Sequence, residues 1–291
     1  MPNVIITGAS TGIGRAITLD LQRRGWSVLA GVRRDVDGEA LLADSVQSGG
    51  RLQPILLDVT NAEHLKNAAQ TAAGFCAEEG LHALINNAGI VVPGPLEFLP
   101  IDGFRKQLEV NTTGALAATQ TFLPLIRQAV GGQRQPRILM VSSISGRVAT
   151  PMVGAYNASK FAMEGMSDAL RRELLPHGID VVLIEPGAIA TPIWKTSSDR
   201  ATRMRSDFPA QMDQHYGKFL DGLRHSLPKT EKRAIPAQRV AEVVHTALEK
   251  RKPKARYLIG KDARLGAWLN RIFPTRFFDR LITWDATKAA K

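Results

Sequence analysis

The stretch Val4-Ile5-Ile6-Thr7-Gly8-Ala9-Ser10-Thr11-Gly12-Ile13-Gly14 decides the fold. It joins a short apolar run, typical of a buried strand, to a glycine-rich turn, and the amphipathic stretch 13–24 follows at once. Glycine lets the backbone turn sharply and approach a ligand, and the free N–H groups at a helix start attract anions. In the variant spacing G-x-x-x-G-x-G, this order predicts a dinucleotide-binding turn. The candidate binding residues are Gly8, Ser10, Thr11, Gly12, Ile13 and Gly14.

Further apolar runs alternate with amphipathic stretches along the chain. The predicted strands are 4–7, 28–32, 53–57, 83–86, 137–142, 180–184 and 257–259, and the predicted helices are 13–24, 61–78, 101–129, 155–176 and 236–250. Strands that are apolar throughout and alternate with helices indicate a parallel sheet covered on both faces. We therefore expect an α/β fold, a single doubly wound Rossmann-type domain of about seven parallel strands. It spans residues 1–262, and a helical extension follows over residues 263–291.

Residues 190–235 interrupt this alternation before the last helix and strand. The segment is polar and lacks clear periodicity, yet it carries large apolar side chains. These are Trp194, Met204, Phe208, Met212 and Phe219. We expect a mobile lid with an apolar inner side, because long loops in compact domains usually serve a function; a surface excursion of no consequence is the alternative.

The composition of the 291 residues excludes several protein classes. Cys76 is the one cysteine and cannot form an internal disulfide, and the six histidines show no metal-ligand spacing. We therefore expect a reducing compartment and no metal site. The sequence shows no secretory leader and no apolar run of membrane-spanning length, which favours a cytoplasmic protein.

The positive charge is concentrated near the carboxyl end. Residues 1–194 carry 16 Lys and Arg against 17 Asp and Glu, whereas residues 195–291 carry 22 against 10. Within 263–285, apolar and aromatic residues recur at helical spacing with arginines on other faces. Such a segment can make peripheral membrane contact, cover the substrate cleft or pack on a neighbouring subunit. Nucleic-acid binding is not expected, because no stacking aromatics or recognition motif accompany the basic run 250–256.

The end of the second predicted strand indicates which nucleotide binds. Arg33 and Arg34 occupy this tip. An acidic residue here selects NAD, whereas an arginine accommodates the 2′-phosphate of NADP. NADP(H) is therefore the expected cofactor and NAD(H) the less favoured one, although Asp35 and Asp37 lie close enough in sequence to neutralise both arginines.

Two more strand ends add candidate cofactor contacts. Open α/β sheets bind their ligands at the carboxyl ends of the strands. Asp58 and Val59 follow the third strand, with Asp58 a candidate acceptor for the adenine amino group. Asn87, Ala88 and Gly89 follow the fourth strand and are expected against the ribose.

Ser143, Tyr156 and Lys160 are the candidate catalytic group. Ser143 follows the fifth strand, and Tyr156 and Lys160 lie four residues apart on one helix face. A phenol is a poor acid–base catalyst at neutral pH because its unperturbed pKa is about 10. A neighbouring ammonium and a positive nicotinamide ring would lower that pKa toward the working range. Ser143 would then hold the substrate oxygen beside the phenol.

These motifs resemble the short-chain dehydrogenase/reductase family over residues 2–260. They occur in the family's order: Thr7–Gly14, Asp58, Asn86–Gly89, Asn111, Ser143, Tyr156-x-x-x-Lys160 and Pro186-Gly187. The resemblance implies that Tyr156 is the acid/base, that Ser143 orients the substrate, and that Lys160 binds the nicotinamide ribose and lowers the tyrosine pKa. It also implies that Asn111 holds a water that relays protons to Lys160. The loop residues Pro186, Gly187, Ile189 and Thr191 would meet the carboxamide and phosphates.

Within that family, the sequence is most similar to hydroxysteroid and retinol dehydrogenases. Many NADP-preferring members carry Lys or Arg where this chain has Thr11, so Arg33 must do most of the discrimination. The resemblance implies hydride transfer between NADP(H) and an alcohol or carbonyl of a small hydrophobic substrate, in a homodimer or homotetramer. A 3-oxoacyl thioester reductase and an NADP(H)-sensing binding protein are the alternatives. The expected apolar walls are Val91, Val92, Pro93, Ile144, Pro151, Met152, Val153 and Trp194.

Overall fold

The computed structural model describes residues 1–47, 49–191 and 209–288. A seven-stranded parallel sheet forms its centre, and a separate two-stranded ladder joins two short strands. The strands are β1 (Asn3–Ile6), β2 (Ser27–Val32), β3 (Leu52–Leu56), β4 (Ala83–Asn86), β5 (Arg137–Val141), β6 (Asp180–Pro186), β7 (Ile189–Ala190), β8 (Ile235–Pro236) and β9 (Arg256–Ile259), of which β7 and β8 form the separate ladder. All seven predicted strands are confirmed to within one or two residues at their ends.

Helices connect and cover these strands. In chain order they are α1 (Gly12–Arg23), α2 (Asp35–Ala43), α3 (Ala62–Cys76), α4 (Ile101–Leu108), α5 (Gly114–Gln128), α6 (Gly154–Leu174), α7 (Ala210–Arg233), α8 (Ala237–Glu249), α9 (Lys261–Ile272) and α10 (Thr275–Lys288). None of the described helices is long and apolar enough to cross a membrane.

The strand order is β3-β2-β1-β4-β5-β6-β9, and each neighbouring pair is parallel. From β1 the chain builds outward to β3 and then returns to β4 on the other side of β1. The order therefore reverses between β1 and β4, and the loops after these two strands diverge there. Open α/β sheets bind ligands in this crevice. The doubly wound Rossmann-type fold predicted from the sequence is confirmed.

Two apolar layers enclose the sheet, one on each face. Along β1, Val4 and Ile6 belong to one layer and Ile5 to the other, as the alternation of a strand requires. The first layer includes buried side chains of α1 and α8, and the second includes those of α3, α5 and α6. Burial on both faces explains why the central strands are mostly apolar, whereas the edge strands β3 and β9 are only partly buried.

Three parts of the chain differ from the helix predictions. The expected helix 101–129 is divided into α4 and α5 by a π-helical turn, Glu109–Thr113, that contains Asn111. Helix α2 was not predicted, because only Gly38 and Leu41 along it are buried. The expected irregular insertion contains the 24-residue helix α7. Met212 on this helix is buried, whereas Trp194, Met204 and Phe208 of the expected lid lie outside the described residues.

The carboxyl-terminal extension consists of α9 and α10, separated at Phe273-Pro274. Two helices around Pro274 agree with the sequence expectation. Phe278 is buried, but the apolar face formed by Leu265, Trp268, Ile272 and Phe277 is more than half exposed at each residue. Helix α9 starts directly after β9, so its first turn lies at the carboxyl edge of the sheet.

Candidate active site

The β1–α1 turn brings backbone groups together more closely than side chains would allow. Gly8 and Gly12 adopt φ values of +67° and +55°, which favour glycine. A Cβ atom on Gly14 would lie 2.2 Å from the Gly8 carbonyl oxygen, and one on Gly8 would lie 2.8 Å from the Cα of Ala88. The turn is therefore a close-fitting backbone loop that only this glycine pattern permits.

The start of α1 is suited to an anion. Thr11 is the N-cap, and no side-chain capping bond or first-turn acidic residue is found here among the described residues. The first N–H groups of a helix lack partners within it, and they carry the positive end of the helix dipole. These groups fit a pyrophosphate, so the turn meets the requirement that the sequence pattern predicted.

Asn87 fixes this turn from the neighbouring strand. Its amide nitrogen donates to the carbonyl oxygens of Thr7, at 3.0 Å, and Gly8, at 2.9 Å. The Thr7 hydroxyl in turn accepts from the backbone nitrogens of Asn87 and Ala88, both at 3.0 Å. The structure thus brings the residues after β1 and β4 together, and it gives Asn87 a structural task at the crevice that the sequence did not reveal.

The tip of β2 carries charges of both signs. The guanidinium of Arg34 donates to Asp37 over 2.6 and 2.9 Å and holds the pKa of that carboxyl below its usual range. Arg33 is exposed at the same tip, and its charge reaches Asp58 as well as Asp37. Arg34 is therefore engaged within the chain, and Arg33 is the arginine open to a ligand.

Asp58 lies after β3 as predicted. Burial would raise its pKa, but two hydrogen bonds from Thr60, at 2.7 and 2.9 Å, and the charge of Arg33 lower it. Asp58 is thus a carboxylate at neutral pH, able to accept further hydrogen bonds. Val59, the next residue, is buried. It packs against Gly114 so closely that a Cβ atom on Gly114 would clash with the Val59 side chain.

Ser143, Tyr156 and Lys160 meet at the carboxyl edge of β5. Ser143 follows that strand, and its hydroxyl accepts from the backbone nitrogen of Ser145 at 3.1 Å. Tyr156 lies in the first turn of α6 and forms a side-chain hydrogen bond with Ser143. The Lys160 ammonium lies 5.7 Å from the centre of the Tyr156 ring. The three residues that the sequence pattern grouped are neighbours in space.

Burial changes the pKa values of two residues in this group. Burial raises the pKa of Tyr156, and the hydrogen bond with Ser143 opposes that rise. Lys160 is itself only 4% exposed, and burial lowers its pKa to about 8. Its ammonium donates to the carbonyl oxygen of Val141 at 2.8 Å. Without a bound nucleotide, burial therefore raises the Tyr156 pKa; the predicted lowering also invoked the nicotinamide ring and stays a prediction for the nucleotide-bound protein.

Asn111 is fully buried in the π-helical turn. Its side-chain oxygen accepts from the Ile90 nitrogen at 2.8 Å, and its amide donates to the Ile90 oxygen at 3.0 Å and the Ser159 hydroxyl at 3.1 Å. It thereby joins the loop after β4 to helix α6, beside Lys160. A π turn commonly marks a functional site, and this one aims Asn111 into the crevice region.

The loop after β6 lies at the same sheet edge. Gly187 donates from its backbone nitrogen to the Ile259 oxygen at 2.8 Å, and Ile189–Ala190 pairs with Ile235–Pro236. Ile189 is buried, and Thr191 is the last described residue before the gap at 192–208. The predicted cofactor loop is thus tied to β9 and β8 on either side.

The expected substrate walls are partly assembled. The backbone nitrogen of Gly94 donates to the Met152 oxygen at 2.7 Å, which joins the loop after β4 to the segment before Tyr156. Met152 is buried and has φ +68°, an uncommon conformation for a bulky residue. Trp194, expected in the same wall, lies outside the described residues.

Sequence reasoning missed an ionic cluster behind the catalytic group. Arg256 of β9 bonds to Glu164 on α6, to Glu185 on β6 at 2.8 Å and to Asp168 on α6 at 2.7 Å. Arg147, just after the turn that contains Ser145, bonds to Glu185 at 2.9 Å. A fully buried glutamate within the apolar strand β6 was the available signal.

The fold and the site define an oxidoreductase of the dinucleotide-binding α/β class. The family model for short chain dehydrogenases matches residues 2–202. The chain belongs to the short-chain dehydrogenase/reductase family, whose members act on alcohol or carbonyl groups.

Named relatives extend over nearly the whole chain. The NADPH-dependent 3-dehydrocapnine reductase of Ornithobacterium rhinotracheale is 31% identical, with 99% of this chain and 98% of that protein covered. Retinol dehydrogenase 5 of Mus musculus is 33% identical, with 99% and 90% covered. The crystal structure of a short chain dehydrogenase from Burkholderia cenocepacia in complex with NADP has 26% identity, coverages of 96% and 97%, and a TM-score of 0.71. The resemblance to retinol dehydrogenases is confirmed.

Proposed function

We propose that this protein transfers a hydride between NADP(H) and an alcohol or carbonyl group of a hydrophobic substrate that is steroid-, retinoid- or lipid-like. The observation that carries the proposal is the meeting of Ser143, Tyr156 and Lys160 at the carboxyl edge of the sheet that also carries the glycine turn after β1. Oxidoreductase chemistry follows from the family, and the cofactor and substrate class are what the proposal adds.

The residues around the crevice fit a dinucleotide. The turn from Gly8 to Gly14 and the start of α1 would hold the pyrophosphate. Asp58 and Val59 would meet the adenine, and Asn87, Ala88 and Gly89 would line the ribose side. The loop Pro186, Gly187, Ile189 and Thr191 would hold the nicotinamide, together with Tyr156 and Lys160. When bound, NADP(H) supplies or accepts the hydride through its nicotinamide ring.

The chain's own residues handle the proton and the orientation. Ser143 donates a hydrogen bond to the substrate oxygen and holds it beside the phenol. In the reducing direction, the Tyr156 hydroxyl protonates that oxygen; in the oxidising direction, the phenolate removes its proton. Lys160 binds the nicotinamide ribose and favours the phenolate, and Asn111 holds a water that reconnects Lys160 to solvent. Because burial raises the Tyr156 pKa in the protein alone, we assign its lowering to the cofactor-bound state.

Arg33 supports NADP(H) over NAD(H). Arg34 is held by Asp37, so Arg33 is the guanidinium available for a 2′-phosphate at the end of β2. A carboxylate at this tip would instead favour NAD. The relative whose name specifies NADPH and the neighbour bound to NADP support the same assignment.

Replacement of Tyr156 by phenylalanine tests the mechanism. We expect kcat to fall by at least about 100-fold, since the general acid is lost. Fluorescence titration should show NADPH binding unchanged. Tyr257→Phe is the matched control. Tyr257 lies on β9, and its phenol oxygen accepts a hydrogen bond from the backbone nitrogen of Lys254. Substantial turnover in the Tyr156 variant would remove that phenol from the mechanism.

A substrate panel tests the substrate class. NADPH oxidation is followed with a ketosteroid, retinal, a long-chain ketone and a 3-oxoacyl thioester as substrates. We expect the free apolar carbonyl compounds to give the highest kcat/KM, because apolar side chains surround the segment near Met152. A preference for the thioester would assign the protein to the alternative reductase class. NADPH binding without turnover on any carbonyl compound would favour a sensor.

The extension α9–α10 supports peripheral contact of a cytoplasmic protein with an anionic membrane. Leu265, Trp268 and Ile272 recur at positions i, i+3 and i+7 on the exposed side of α9. Exposed arginines at 264, 271, 276 and 280 supply the charge that binds acidic lipid headgroups. Sedimentation with phosphatidylcholine vesicles, with and without phosphatidylglycerol, tests this contact. Trp268→Ala should reduce binding to the vesicles. Equal binding to vesicles with and without phosphatidylglycerol would refute the charge contribution.

Self-association is part of the proposal. Helices α4 to α6 present exposed apolar side chains, among them Ile101 and Phe161. In this family the corresponding helices pair between subunits, so a homodimer or homotetramer is expected. Light scattering on the eluting protein distinguishes these, and a monomer at all concentrations would contradict the proposal.

A further inference from the structure

Asp262, the second residue of α9, reaches from the extension into the loop after β6. Its carboxylate oxygen Oδ2 accepts a hydrogen bond from the backbone nitrogen of Ala188 at 2.8 Å. This loop, Pro186 to Thr191, is the one proposed to hold the nicotinamide. The contact therefore connects the first turn of α9, whose residues from 263 onward the sequence assigned to the extension, with the proposed cofactor site.

The fit around this carboxylate is close. A Cβ atom on Gly187 would lie 2.2 Å from Asp262 Oδ2, and one on Gly260 would lie 2.2 Å from Oδ1. Gly260 also has φ +110°, a conformation that side chains rarely adopt. The two glycines thus leave the space that the Asp262 carboxylate occupies.

Backbone hydrogen bonds also hold this loop. Gly187 donates to the Ile259 oxygen at 2.8 Å, and the Ala188 oxygen accepts from the Ile235 nitrogen at 3.0 Å. Both polar backbone groups of Ala188 are therefore bonded, one of them to Asp262. Ile189 follows directly, and its orientation depends on how the preceding peptide is fixed.

The same helix also contacts the other side of the site. The Asn270 side-chain amide donates to the Arg147 carbonyl oxygen at 3.0 Å. Gly266 faces Ile144, which directly follows Ser143. Helix α9 thus touches both the segment that carries the substrate-orienting serine and the loop that would hold the nicotinamide.

We propose that Asp262 is a positioning residue for the nicotinamide half of the cofactor, and that α9 stabilises the active site by contacting the segments on both sides of it. This rests on the proposed function. Asp262 holds the Ala188 peptide in the orientation that presents the next residues of the loop to the nicotinamide. A purely structural alternative exists, since an acidic residue in the first turn stabilises a helix through its dipole.

Two substitutions separate these roles. Asp262→Asn keeps the shape and an acceptor oxygen but loses the charge. Asp262→Glu keeps the charge in the first turn of α9, but its extra methylene group displaces the carboxylate from its place beside the Ala188 nitrogen and the two glycines. A positioning role therefore predicts that the asparagine variant behaves like the wild type and the glutamate variant does not. A dipole role predicts the reverse.

The readout is nucleotide binding by calorimetry, with NADP⁺ compared with adenosine 2′,5′-bisphosphate. The second probe carries the adenosine half and its 2′-phosphate but no nicotinamide. For Asp262→Glu and Asp262→Ala we expect NADP⁺ to bind roughly 3- to 10-fold more weakly, as for one lost hydrogen bond, and the bisphosphate to bind unchanged. Asp279→Ala, which removes an exposed acid from α10, is the control and should leave both affinities unchanged.

Each outcome decides the matter. Equal weakening for both nucleotides, or wild-type binding by Asp262→Glu together with weak binding by Asp262→Asn, overturns the positioning role. If Asp262→Ala is too unstable for calorimetry, the asparagine and glutamate variants decide alone. If the wild-type protein binds neither nucleotide, the proposed function itself fails and takes this inference with it. If the wild type binds both and the variants do not discriminate, only this inference fails.

Discussion

Replacement of Lys160 by methionine should make the protein more stable while it abolishes activity. The Lys160 ammonium is buried beside Tyr156, and burial lowers its pKa from 10.5 to about 8. The folded protein therefore holds a proton on this amine less readily than the unfolded chain does. Below pH 8 the amine is charged in both states, and the folded state bears the full cost of burying that charge.

The size of this cost follows from the shift. At about 1.36 kcal/mol per pKa unit, it is roughly 3 kcal/mol. Methionine removes it but also removes the hydrogen bond to the Val141 carbonyl oxygen, which costs about 1 kcal/mol. We expect a net gain of about 2 kcal/mol in the free energy of unfolding at pH 7. The gain should shrink as the pH rises from about 8 toward 10.5, because the amine of the folded wild type then becomes neutral.

Urea denaturation at pH 6, 7, 8.5 and 9.5, at one fixed protein concentration, measures this difference. Lys66→Met is the matched control: Lys66 is exposed on α3, so its replacement should change the free energy of unfolding by less than about 0.5 kcal/mol at every pH. A Lys160→Met variant less stable than the wild type at pH 7 would refute the reasoning. So would a gain that does not depend on pH.

Three further substitutions test other parts of the structure. Arg33→Asp should lower kcat/KM for NADPH by roughly 10- to 100-fold and raise it for NADH, since a charged phosphate contact is lost; an unchanged ratio would place the phosphate elsewhere. Arg256→Met removes the cation shared by Glu164, Asp168 and Glu185, of which only Glu164 is left without another arginine, and should cost about 3–5 kcal/mol in urea denaturation. Arg239→Met, which breaks an exposed pair, should cost less than about 1 kcal/mol. Ala77→Gly should raise the free energy of unfolding by about 1 kcal/mol, because Ala77 has φ +47° and ψ −138°, a conformation that favours glycine. Ala73→Gly within α3 is the control and should lower it. If both variants are less stable than the wild type, Ala77 is not strained.

The central strands β1, β2, β4, β5 and β6 were predictable because they are buried on both faces and therefore carry a nearly continuous apolar signal; the edge strands β3 and β9 are only partly buried. The glycine turn was predictable for a related reason: only glycine satisfies both the positive φ of Gly8 and the contact of Gly14 with the Gly8 oxygen. At these positions the local conformation depends on the residue type itself. The sequence therefore carries the information without reference to distant parts of the chain.

The missed helices have a common physical origin. Among the residues of α7 whose burial is described, Met212, Gly217 and Gly222 are buried, and the two glycines have no side chain that could register as apolar. Helix α2 likewise buries a glycine, Gly38, whose missing Cβ makes room for Pro54. A helix that packs through glycines has a buried face, but its sequence does not show apolar side chains recurring at helical spacing. A pattern based on apolar side chains cannot detect it.

The catalytic residues were predictable as a set, but their charge states were not. Spacing alone places Tyr156 and Lys160 on one helix face. Their pKa values depend on how completely the surrounding chain removes water, and that chain comes from β5, the π-helical turn and the loop after β4. Burial raises the Tyr156 pKa in the protein without a nucleotide, whereas the expected lowering also depends on the bound nicotinamide ring.

The ionic cluster behind the site accounts for the fully buried charged residue in β6. Glu185 is fully buried and directly precedes Pro186, so its position sets where the cofactor loop begins. Through Arg256 and Arg147 it is bonded to β9, to α6 and to the segment that follows Ser143. Apolar packing tolerates small sliding movements between elements, whereas hydrogen-bonded ion pairs are directional and fix distances and angles. An arrangement that must hold a serine, a phenol and a nicotinamide loop in register therefore gains from buried ions, even where an apolar core would be equally stable.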